Sequence, residues 1–82
     1  LAYNKVVKDL NGLAKEASIT IEILNSKGAV VRKLVNAAKQ AGNYRILWNG
    51  LNDQGITVTS GVYFVRMTSG RQSSTLKLVM MK

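Results

Sequence analysis

The architecture of this chain is written most clearly in Gly42-Asn-Tyr-Arg-Ile-Leu-Trp-Asn-Gly-Leu-Asn-Asp-Gln-Gly-Ile-Thr-Val-Thr-Ser-Gly-Val-Tyr-Phe-Val-Arg-Met67. Tyr44, Ile46 and Trp48 alternate with Arg45 and Leu47, the period of a strand with one buried face. Asn49 to Gly55 is a double turn in which Gly50 and Gly55 supply left-handed backbone angles. Ile56 to Thr59 reads as a short strand and Ser60-Gly61 as a tight turn. Val62 to Thr68 is a strand rich in β-branched and aromatic residues. No side chain in this stretch is suited to making or breaking bonds.

The same grammar extends upstream. Ile19, Ile21 and Ile23 alternate with Thr20 and Glu22, Asn25-Ser-Lys-Gly28 forms a turn with a bulge at Gly28, and Val30 to Val35 returns as a hairpin. Asn36 to Ala41 has good helix formers but is too short for a stable helix, so it reads as a connection crossing between sheets. Leu1 to Ala17 carries apolar residues at helical spacing, interrupted by the turn signal Asn11-Gly12, and reads as an irregular or short-strand lead-in. Downstream, Ser69 to Gln72 turns the chain. Thr75 to Met81 forms a last strand with Leu76, Leu78 and Met80 on one face. About seven short strands with regular turn signals predict an all-β antiparallel sandwich. We expect residues 1–82 to form a single domain, with Ile19, Ile21, Ile23, Trp48 and Leu78 sharing one core.

Composition narrows the chemistry. The 82 residues contain no His and no Cys, which excludes imidazole catalysis, thiolate metal sites and disulfides. Asp9, Glu16, Glu22 and Asp53 are the only carboxylates, and nothing in the pattern brings a catalytic pair across a cleft. The expectation is a non-enzyme without a cofactor. Asn49, Asn52 and Asp53 offer hard oxygens to calcium, but with one carboxylate and no regular ligand spacing they read better as Asx turns.

Twelve Lys and Arg against four acidic residues leave a net charge of +8. Such an excess favours acidic partners, yet the cations are scattered and form no block. Anionic surface polysaccharide is a candidate partner. Nucleic acid is disfavoured, because Tyr44, Trp48, Tyr63 and Phe64 are mostly needed in the core. Tyr63 and Phe64 are adjacent and must face opposite sides of their strand. No run is long enough to span a membrane as a helix, and no leader peptide is visible. The chain starts at Leu1 rather than Met, so we expect it to be part of something longer.

Gly42 to Gly50, Asn52 to Gly55 and Ser60 to Phe64 resemble the signature of immunoglobulin-like domains of the flagellar hook-capping type. A similar signature occurs in C-terminal sorting domains of type IX secretion cargo. The hairpin Ile19 to Val31 and the closing segments Gly61 to Met67 and Leu76 to Lys82 resemble the sorting domains, although the Asn-Pro that usually opens them is absent. The resemblance covers Ala17 to Lys82. It implies an immunoglobulin-like sandwich in a secreted or cell-surface protein, read by outer-membrane secretion machinery. Its recognition candidates, carried over by position, are Gly28, Gly61, Tyr63, Lys77 and Lys82. Each also has a plainer reading, as turn geometry, packing or a solvated charge. We therefore expect a sorting and anchoring domain. The alternatives are a structural immunoglobulin-like module, of spacer, filament or hook-cap type, and a carbohydrate- or nucleic-acid-binding module.

Overall fold

The computed structural model describes residues 5–13, 17–39, 42–70 and 72–81, and the side chains of 18–37, 46–70 and 73–81. The described residues form six strands: β1 (Lys5–Leu13), β2 (Ala17–Leu24), β3 (Val30–Lys39), β4 (Gly42–Trp48), β5 (Gly61–Ser69) and β6 (Gln72–Met80). β1 and β4 make a two-stranded sheet, and the rest a four-stranded sheet in the order β3-β2-β5-β6. All pairings are antiparallel. The fold is an all-β sandwich.

The alternation of side chains explains what lies between the layers. Ile19, Ile21 and Ile23 of β2, Tyr63 and Val65 of β5 and Leu78 and Met80 of β6 point inward from the larger sheet. Ile46 and Trp48 of β4 meet them from the smaller one. Fully burying a large apolar side chain contributes roughly 1.5–3 kcal/mol, so these residues hold most of the apolar stabilisation available to a small domain. The expected core of Ile19, Ile21, Ile23, Trp48 and Leu78 is present in full.

Several boundaries differ from the sequence reading. The lead-in contains a regular strand, β1, and Asn11-Gly12 falls where the β1–β4 register shifts between Leu10 and Leu13. A turn dipeptide there serves as a bulge, which absorbs an extra residue without ending the strand. Asn36 to Lys39 does not cross between sheets but continues β3, because it finds partners in Ala17 to Thr20. Gln40 and Ala41 lie outside the described residues. The short strand expected over Ile56 to Thr59 reduces to one bridge, Leu51 to Thr57, since the loop pairs back on itself and not with a sheet. β5 and β6 are longer than expected and close through a tight turn, with Ser69 opposite Gln72.

Leu76 shares a face with Leu78 and Met80 yet is 51% exposed. The cause is architectural: a two-stranded sheet faces a four-stranded one.

Candidate functional site

The loop between β4 and β5 sits at one end of the sandwich and is wound by its own side chains. The Asn52 amide oxygen accepts the N–H groups of Gln54 (2.9 Å) and Ile56 (3.0 Å), while the Asn52 N–H donates to the Ile56 carbonyl at 2.8 Å. Asn49 Oδ1 accepts the Leu51 N–H at 3.2 Å. Gly50 and Gly55 take φ of 79° and 78°, the left-handed angles this winding requires. These are the Asx turns expected from the sequence. The loop is pinned to the core as well: Trp48 Nε1 donates to the Leu51 carbonyl at 2.9 Å.

Asp53 does something that local pattern gave no sign of. Its N–H donates to the Val31 carbonyl at 2.9 Å, and its Oδ1 accepts the Lys33 N–H at 3.0 Å. Arg32 Nη1 adds a bond to the Asn52 carbonyl at 3.1 Å. The loop therefore covers the outer edge of β3. The available signal was only an Asp in a turn, because the partner lies 20 residues away. The oxygens that resembled calcium ligands are thus engaged by N–H donors. Among the described residues no group of three acidic side chains converges as a metal site.

The recognition candidates fall in three places. Gly28 closes the β2–β3 turn with φ of 85° and donates its N–H to the Asn25 carbonyl at 3.0 Å. Asn25 Oδ1 fixes the same turn by accepting the N–H groups of Lys27 and Ala29, each at 3.0 Å. Gly61 opens β5 opposite Met80, and Lys77 lies exposed on β6 opposite Phe64. Tyr63 is buried; its hydroxyl donates to the Thr59 carbonyl at 2.7 Å, and its ring meets Trp48 edge-on with centroids 5.6 Å apart. Phe64, on the other face of the strand, is half-buried. Lys82 lies outside the described residues.

The structure brings Gly61 and Tyr63 together with Ser26 and Lys27 of the Gly28 turn, around an open groove of about 420 Å³. Lys77 is not part of that groove. Elsewhere on the large sheet, Arg66 Nη2 meets Glu22 Oε1 at 2.8 Å on the outer face, a partly exposed pair worth at most about 1 kcal/mol. The arrangement contains rigid turns, a covered edge and an apolar centre.

A family model for the FlgD Ig-like domain matches residues 4–73. The chain belongs to the FlgD Ig-like domain family. The match includes most of the lead-in that the sequence resemblance left out, and ends just inside β6. It supports the hook-capping side of the resemblance and says nothing for the sorting side. As a FlgD Ig-like domain, the chain falls among structural, non-catalytic domains, and the sandwich described above is the immunoglobulin-like architecture that the family name states. No curated protein and no solved structure matches it.

Proposed function

We propose that this chain is a structural immunoglobulin-like module, a single non-catalytic folding unit that spaces or joins parts of a larger bacterial surface or hook-cap-type protein. The observation that supports this best is how the loop between β4 and β5 uses its polar groups. Asn49, Asn52 and Asp53 direct side-chain oxygens at backbone N–H groups of the chain itself, and the Trp48 indole does the same toward a backbone carbonyl. Polar groups spent in this way fix a shape, whereas a reactive site keeps them free for a substrate. Family membership points the same way. The excess of cations directs the module toward anionic surroundings such as surface polysaccharide.

A sorting and anchoring role for type IX secretion is the second reading. What favours it is the likeness of Gly61 to Met67 and Leu76 to Lys82 to sorting domains, on a hairpin that displays Lys77. One experiment separates the two. The 82 residues are fused to a fluorescent passenger with its own periplasmic leader, in a bacterium that has type IX secretion. On the structural reading the passenger stays in the periplasm. Delivery to the cell surface that is lost in Lys77→Ala or Lys82→Ala would replace it with the sorting reading.

A further inference from the structure

The two outer edges of the four-stranded sheet are β3 and β6, and they are treated very differently. An edge strand carries a row of unpaired N–H and C=O groups that can template another strand, and proteins normally blunt it. β3 is blunted three times over. Its register with β2 shifts twice, between Ile21 and Glu22 and between Ile23 and Leu24. Arg32 and Lys33 lie along it. Asp53 takes the outward Val31 carbonyl and Lys33 N–H.

β6 has neither the bulges nor the covering loop, and carries a single charge, Lys77. All nine of its residues pair with β5 in unbroken register. No backbone or side-chain group among the described residues bonds to it from outside. Ser69 and Gln72 flank a two-residue turn and so form a hydrogen-bonded pair. Because such pairs alternate, Ser73, Thr75, Lys77 and Val79 direct their N–H and C=O groups away from β5, into the open.

The side chains beside that edge describe what would fit. On the inner face Leu76 is 51% exposed, uncovered by the short opposing sheet. On the outer face Lys77 is exposed, is the one charge within β6, and has no carboxylate partner among the described residues. The whole chain carries +8, so a second copy would bring like charge to this edge, while an acidic strand would be drawn to it. We propose that β6 is a docking edge for an extended acidic segment of a partner protein, one that alternates apolar side chains with carboxylates and adds as a further strand. Main-chain bonds would supply affinity, an apolar side chain would cover Leu76, and a carboxylate would meet Lys77. This goes beyond the structural-module reading, which needs no partner at this edge.

The test uses a synthetic peptide of alternating Val and Glu, as long as β6, titrated into the isotope-labelled 82-residue chain. Amide exchange should slow at Ser73, Thr75, Lys77 and Val79, with no change along β3. Thr75→Pro removes an outward N–H without touching the ladder to β5 and should abolish binding. Lys77→Glu keeps the strand and should weaken binding roughly fivefold or more, since like charges directly opposite are unfavourable. Three outcomes would overturn the proposal: no protection of β6, equal binding of a peptide with Lys in place of Glu, or concentration-dependent pairing of the chain with itself through β6.

Discussion

Trp48 joins the core, β5 and the loop between β4 and β5. The indole is fully buried, its ring packs edge-on against Tyr63, and its N–H holds the Leu51 carbonyl. A buried indole N–H without an acceptor would carry an uncompensated desolvation penalty, and the bond to the Leu51 carbonyl removes it. Trp48→Ala should lower stability by about 3–5 kcal/mol in denaturant unfolding, and an unchanged midpoint would refute this core. Tyr63→Phe keeps the ring and removes only the hydroxyl's contacts with Thr59, to its carbonyl and its Oγ1, so the expected loss is about 0.5–1.5 kcal/mol with the tryptophan fluorescence of the folded state preserved. The burial of Trp48 was legible from residue type and alternation. That Tyr63 and Phe64 face opposite ways was legible too, but not that Tyr63 goes in. The deciding partner is Thr59, supplied by a loop whose path no local pattern specifies.

The two hairpins, β2–β3 and β5–β6, were legible because each is local: a period-two pattern, a glycine turn and a returning strand. What escaped the sequence is non-local. Asn36 to Lys39 is drawn into β3 by partners in β2, and the Asp53 cap depends on a residue in another strand. Asp53→Ala should cost about 1 kcal/mol and speed amide exchange at Lys33, where the acceptor is lost. Exchange at Lys33 equal to that of the parent chain would remove the cap from the account. The loop also makes a statement about metals. Since Asn49, Asn52 and Asp53 already accept N–H groups, a calcium ion would have to displace those donors. The melting temperature should be the same in calcium and in chelator, and stoichiometric calcium after dialysis against chelator-free buffer would contradict the Asx-turn reading.

The sandwich pairs layers of unequal width, and the sequence did not show this. Inward-facing positions are recognisable strand by strand, but whether another strand covers them depends on how the layers are stacked. Leu76 is the residue that exposes the difference, with the parity of a core position and the accessibility of a surface one. The candidate recognition residues were divided by the same stacking: Tyr63 went to the centre, Gly28 and Gly61 to the loop end, and Lys77 to the free edge.

The pairing of β2 with β5 has a consequence for how fast this molecule assembles. Each hairpin can zip from its own turn, but the seam between them joins distant residues such as Glu22 and Arg66, 44 positions apart along the chain. Closing a loop of that length costs about 3 kcal/mol of chain entropy before any bond in the seam repays it. Folding should therefore take milliseconds to seconds, with docking of two preformed hairpins as the slow step. In stopped-flow refolding, Ile21→Val at the seam should slow the folding arm, whereas Met80→Leu at the far end of β6 should act mainly on the unfolding arm. The reverse pattern would place the nucleus in a hairpin, and assembly would then start from a turn and not from the meeting of two ribbons.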